Sequence, residues 1–144
     1  STDIIVGFPT ETEDEFQDTL QVVREARFSQ IFPFKYSPRP KTKAAQMEDD
    51  VPREEKEERL ARLIALQREI HEVDIQKLVG TEQEVLIDSV SVREQDTMSG
   101  RTDGYRPVSV KSEVLEIGDL VSVRINGASG HWLYCDLLPE PATV

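Results

Sequence analysis

The sequence predicts an α/β segment followed by a small all-β barrel, and three observations carry that expectation. The chain has 144 residues, the size of one average domain or two small ones, so one large multi-layer enzyme domain is disfavoured. Its first half alternates short apolar runs with helical periodicity. Past Gly80 the helix formers give way to short strand signals separated by turns. Hydrophobic residues make up 38% of the chain and charged residues 31%, with a net charge of −11, which excludes a uniformly basic nucleic-acid-binding face. No apolar stretch approaches a membrane span, and the N-terminus lacks the zones of a signal peptide, so a cytoplasmic protein is expected. One cysteine and two histidines are too few for a disulfide framework, a structural zinc site or a cysteine-ligated cluster.

Residues 3–8 are a β-branched run without period-2 alternation, closed by Gly7 and Pro9, which predicts a strand covered on both faces. A helix is expected over 12–27: Thr12 and Glu15 form a capping box, and Phe16, Leu20, Val23 and Ala26 have helical spacing. Glu11 and the acidic first turn are read as complements to the helix dipole. Residues 31–36 form a second apolar strand, parallel to the first by the crossover rule. Two parallel strands are not a stable sheet by themselves, and with a strand beginning almost at residue 1 the chain reads as a piece of a longer protein.

Residues 37–50 form a proline-bearing loop, basic at Arg39, Lys41 and Lys43 and acidic at Glu48, Asp49 and Asp50. A long helix is expected over 52–78, stopped at Gly80, with Pro52 in its first turn and apolar positions at Leu60, Leu63, Ile64, Leu66, Ile70 and Val73. The pairs Glu55 with Arg59 and Glu58 with Arg62 are assigned to its solvent side. Strands over 84–92, 100–105, 108–110, 120–125 and 131–138 then predict a five-stranded barrel of the OB type. The resulting division is 1–50, a helical linker 51–79, a barrel 80–139 and a frayed tail 140–144. Cys135 is read as an inert packing residue, and His71 and His131 as surface or boundary residues.

Together, STDIIVGFPTET, FKYSPRP, the link MEDDVPREEKEERLARLIALQREI and the hairpin GRTDGYRPV resemble the C-terminal half of a tRNA methylthiotransferase of the radical S-adenosylmethionine family. The resemblance implies that residues 1–50 are the last strand–helix units of a partial (β/α) barrel and that the segment from Gly80 is a TRAM domain, a small RNA-binding barrel. It implies S-adenosyl-L-methionine and two 4Fe-4S clusters in the intact enzyme; the CxxxCxxC loop that holds the catalytic cluster and the N-terminal domain that carries the second lie outside this chain, so that the chain is inactive by itself. It also implies a tRNA anticodon stem-loop as substrate, in a monomeric enzyme without membrane attachment. Thr10 and Lys41 stand where the family pattern has glycine, and Lys43 where it commonly has proline.

Parallel barrel strands present their C-terminal ends to the active site. Val6, Gly7, Phe34, Tyr36 and Ser37 are thus candidates for holding S-adenosylmethionine, the alternative being that Phe34 and Tyr36 are core. Arg39, Lys41 and Lys43 are candidate phosphate contacts, or else a solvated loop. From Gly80 onward five basic residues face eleven acidic ones, so RNA affinity has to be local. Arg101, Tyr105 and Arg106 combine phosphate contact with a stacking surface, against the alternative of a hairpin with Tyr105 packed on the barrel. Two other readings remain at this point: a methylthiotransferase acting on a ribosomal-protein aspartate, and a non-catalytic OB-like interaction module.

Overall fold

The computed structural model describes residues 1–92 and 94–139. Arg93 and the tail 140–144, expected to fray, lie outside the described residues. The chain divides into two compact units after His71. None of the described helices is long and apolar enough to cross a membrane.

In the first unit, β1 (Thr2–Val6) pairs in parallel with β2 (Ile31–Lys35), Ile5 opposite Phe34 and Val6 opposite Lys35. Between them runs α1 (Glu13–Ala26), started by the capping box: the Thr12 Oγ1 accepts the Glu15 N–H at 3.3 Å and the Glu15 carboxylate accepts the Thr12 N–H at 2.8 Å. These bonds satisfy donors that a helix start otherwise leaves unpaired. Phe16, Leu20 and Val23 are buried with Val6, Ile31, Leu63 and Ile70, whereas Ala26 is exposed.

Within this chain β1 is covered on one face only. Successive strand side chains point to opposite faces, and one face carries the buried Val6 while the other leaves Ile5 54%, Phe32 44% and Phe34 53% exposed. Helical side chains cover one face only, which a continuous apolar run does not reveal.

The long helix α2 spans Arg53–Gln76. Its buried stripe differs from the expected one: Leu63 and Ile70 are buried as expected, but Ile64 and Val73 are half exposed, and Lys56, Arg59 and His71 are buried. Arg59 thus does not belong to the solvent side, and His71 is not a surface residue. The spacing 56, 59, 63, 70 is a helical stripe in its own right, with cations at two of its positions.

In the second unit, β3 (Glu82–Val90), β4 (Thr97–Thr102), β5 (Pro107–Lys111), β6 (Leu120–Ser129) and β7 (Trp132–Leu137) close a barrel in the order β3-β4-β5-β7-β6. All pairings are antiparallel except β5 with β7, where Val108 faces Leu133 and Ser109 faces Tyr134. Inward positions Val85, Ile87, Met98, Val108, Val110, Val123, Ile125 and Leu133 form one core with Ile75. Closure removes the unpaired edges that make small sheets prone to association. The second strand begins at Thr97, three residues before its expected start, because Thr97 and Ser99 disguise the alternation. Gly104 and Tyr105 are in the turn after it.

Candidate functional site

The turn after β1 is held by a buried arginine. Gly7 has φ +69, and a Cβ there would lie 2.3 Å from the Lys56 Cγ, so both the left-handed backbone and the close approach of Lys56 require glycine. The Gly7 N–H donates to the Glu11 carboxylate at 2.9 Å, and Arg59 donates to the same carboxylate at 2.8 Å and to the Glu11 carbonyl at 3.0 Å. Arg59 is 1% exposed, ion-paired also with Glu55, and its guanidinium lies 5.7 Å from the Phe16 ring centre. Glu11 therefore clamps the turn to α2. It lies before the helix, so the expected dipole role falls to Glu13, Asp14 and Glu15.

The strand-end candidates separate by face. Val6 is 0% exposed in the core, which corrects its assignment: its side chain cannot touch a ligand, and its carbonyl is engaged by the Tyr36 N–H at 2.8 Å. The Gly7 N–H is likewise committed to Glu11. Phe34 is half exposed, on the uncovered face of the sheet. Tyr36 is 9% exposed, stacked edge-on against Phe8 with ring centres 5.2 Å apart and below the Lys56 ammonium at 5.2 Å. Its hydroxyl is buried without a hydrogen-bond partner. Tyr36 and Ser37 line an open cavity of about 540 Å³ with Lys35, Asp49, Val51, Pro52, Arg53 and Lys56.

Lys56 and Arg59 were not legible as site residues, because a lysine and an arginine in a glutamate-rich helix read as solvated charge. The clue is that they lie on the same helical stripe as Leu63 and Ile70. Lys56 is paired with Asp49, and Asp50 accepts the Thr10 N–H at 2.7 Å, so the acidic end of the 37–50 loop ties to both the turn and the helix.

Arg39, Lys41 and Lys43 are exposed and have no ion-pair partner among the described residues. Lys41 has φ 69 and Thr10 φ 73, the left-handed region that glycine enters freely and other residues occupy at a cost of roughly 1–2 kcal/mol. Both non-glycine residues carry this strain.

At the β4–β5 turn, Tyr105 is 72% exposed rather than packed on the barrel. The Arg101 guanidinium lies 4.4 Å from the Tyr105 ring centre and its Nε donates to Asp88 at 3.0 Å. The Arg106 N–H donates to the Thr102 hydroxyl at 3.2 Å, and the Arg106 carbonyl accepts the Thr102 N–H at 3.0 Å. The turn thus brings Arg101 and Tyr105 together as one cation-on-ring surface. Cys135 is half buried, its thiol 3.5 Å from the Ser109 carbonyl and pushed up to about 11 by burial; it is a packing residue, not a nucleophile.

The charge pairs of the first unit set its pH response. The Glu13 carboxyl is held below its ordinary 4.5 by a hydrogen bond from Arg62, Glu15 by the Thr12 N–H, and Glu57 by Lys35 and Arg53. A carboxyl whose folded value is lowered stabilises the fold above its unfolded value and loses that contribution as pH falls through the folded one. Urea midpoints of the first unit should therefore be flat near neutrality and fall below pH 4.5. A midpoint that rose on acidification would contradict the pairing.

Residues 76–138 match the TRAM domain family. The chain is 48% identical over 139 residues to the tRNA-2-methylthio-N(6)-dimethylallyladenosine synthase of Corynebacterium jeikeium (strain K411), the match covering 94% of this chain and 27% of that protein. It is 49% identical over 144 residues to that of Nocardia farcinica (strain IFM 10152), covering 94% and 28%. It is 42% identical over 138 residues to that of Aquifex aeolicus (strain VF5), covering 96% and 31%. The chain thus spans less than a third of the length of these relatives. Residues 76–138 form a TRAM domain, and the chain is similar over nearly its whole length to the tRNA-2-methylthio-N(6)-dimethylallyladenosine synthases.

Proposed function

We propose that this chain is the C-terminal part of a tRNA methylthiotransferase, in which residues 80–139 hold the tRNA anticodon stem-loop and residues 1–50 complete a (β/α) barrel around the reacting centre. The observation that carries this reading is that the similarity runs through both units, covering 94% of the chain, so strand ends and barrel belong to one polypeptide of that kind. The exposed face of Ile5, Phe32 and Phe34 supports it, since an apolar sheet face of this size is the inner face of a larger barrel. On this reading the enzyme works in the cytoplasm as a monomer.

When bound, S-adenosylmethionine would supply the radical chemistry that places a methylthio group on C2 of N6-isopentenyladenosine. The residues of this chain fit such a ligand in part: Phe34 offers an accessible ring, Ser37 an exposed hydroxyl, and the orphaned Tyr36 hydroxyl lacks a partner that a ligand can provide. Val6 and Gly7 act through the backbone path of the strand end, which Glu11 and Arg59 fix. They do not fit iron–sulfur clusters, because the chain has one cysteine and each cluster needs several thiolates. The cluster ligands belong to the rest of the protein, and this chain alone would be inactive.

On the RNA side, Arg101 and Arg106 contact phosphates and Tyr105 stacks, while Arg39, Lys41 and Lys43 add a second positively charged contact from the loop. In the intact enzyme, replacing Arg101 and Arg106 with alanine should raise KM for tRNA with little change in RNA-independent cleavage of S-adenosylmethionine, because that chemistry sits on the other unit. Equal loss of both activities would contradict the division of labour.

A further inference from the structure

The outer face of the TRAM barrel carries a second aromatic surface besides that of the β4–β5 turn. The strand register aligns Ser89 with Ser99, Ser99 with Ser109, Ser109 with Tyr134 and Tyr134 with Gly127. This places a low row of small residues across the barrel, with Tyr134 standing between Ser109 and Gly127. Trp132 and Tyr134, 37% and 41% exposed, share with Ser91, Ser99, Ser109 and Glu94 a shallow groove of about 100 Å³. Leu133, between the two aromatic residues, is fully buried, so the strand anchors both side chains while each stays more than a third exposed.

Among the described residues that line it, the groove has no lysine or arginine, and the one charge is the Glu94 carboxylate. A phosphate is repelled by that carboxylate. A flat uncharged ring bearing an amino group is not: the aromatic side chains offer a stacking surface, Ser99 and Ser109 offer hydroxyls that donate or accept, and the carboxylate accepts from an exocyclic amine. A second copy of the chain, itself carrying −11, is a poor occupant for a groove with a carboxylate at its rim.

We propose that this groove receives one unpaired, amino-bearing base of the bound RNA, stacked against Trp132 and Tyr134 with its exocyclic amine toward Glu94. The inference rests on the RNA-binding reading of the barrel and adds to it a residue-level base site, separate from the phosphate contacts of Arg101 and Arg106. Cytosine fits and uracil does not, because uracil presents a carbonyl where cytosine presents its amine.

Trp132 is the only tryptophan of the chain, so its emission reports on the groove directly. The test titrates the full chain with single-stranded oligocytidylate and oligouridylate, following Trp132 emission and measuring total binding in parallel by filter retention. Oligocytidylate should quench the emission and bind about fivefold or more tighter than oligouridylate, the low end of what a good base contact discriminates. Trp132→Ala should weaken oligocytidylate binding by about 5- to 150-fold, the equivalent of one lost stacking contact, without changing the salt slope. Trp132→Phe should restore most of it. Glu94→Gln, which can also donate to a carbonyl, should remove the preference for cytosine.

RNA retained on the filter with unchanged Trp132 emission and an unaffected Trp132→Ala variant would overturn the base site and leave RNA binding by the barrel intact. No retention of either oligonucleotide or of an anticodon stem-loop would overturn both readings. Emission that changes with chain concentration alone, with a dimer seen by sedimentation, would identify the groove as an interface between copies and overturn the proposal.

Discussion

Replacing Arg59 with alanine should destabilise the first unit by about 3–5 kcal/mol, the cost of leaving a buried charge without its partner. Arg59 is 1% exposed and Glu11, its main partner, has a side chain only 11% exposed. The substitution strands the Glu11 carboxylate beside the Gly7 N–H, frees the Glu11 carbonyl and removes the cation lying against Phe16. Against the 5–15 kcal/mol typical of a whole domain, that loss leaves the unit partly unfolded. Arg59→Lys should recover only part, since one ammonium cannot replace a guanidinium that reaches the carboxylate and carbonyl of Glu11 and the carboxylate of Glu55 together. Amide exchange at Phe16, Leu20 and Val23, which lie in this core, reads the effect directly, while the barrel amides serve as an internal reference. A change below about 1 kcal/mol, the level of a surface ion pair, would show that the cluster is not the clamp described here.

Gly100→Ala should have its effect in the other unit. A Cβ at Gly100 would lie 2.5 Å from the Leu86 carbonyl oxygen and 2.6 Å from the Val85 Cγ1. The first of these is backbone and cannot rotate away, so β3 and β4 must separate where Ile87 pairs with Gly100. Overpacking of this kind costs about 1–3 kcal/mol, more than the 0.4–1 kcal/mol that an alanine recovers through the unfolded chain. Melting of the barrel, followed by Trp132 emission, should drop by about 10 °C, given the 4–8 °C per kcal/mol of a domain this size. Gly127→Ala is the control, because a Cβ there meets nothing nearer than Tyr134 at 3.9 Å.

The sequence shows most clearly what depends on neighbouring residues. The Thr12–Glu15 capping box, the stop near Gly80 and the succession of five short strands follow from local chemistry, and the structure has each of them. The exposed Ile5 and Phe34 were hidden because Ile4, Ile5 and Val6 give an unbroken apolar run whichever face is covered. Arg59 and Lys56 were hidden because burial of a cation depends on acids 48 and 7 positions away, Glu11 and Asp49, and no periodicity links them. Trp132 and Tyr134 stood in plain sight as alternating strand residues. What makes them a surface is the register with Ser109 and Gly127, which arises only when the barrel closes.

The central claim is that a barrel with a net negative charge binds RNA locally, through the Arg101–Tyr105–Arg106 turn. The most direct measurement is the salt dependence of anticodon stem-loop binding by the intact enzyme and by its variant with Arg101→Ala and Arg106→Ala. The account predicts weaker binding and a slope of log K against log salt that is flatter by up to about two contacts, each worth roughly 0.7–0.9. Unchanged affinity and an unchanged slope would contradict it, and would transfer the phosphate contacts to Arg39, Lys41 and Lys43.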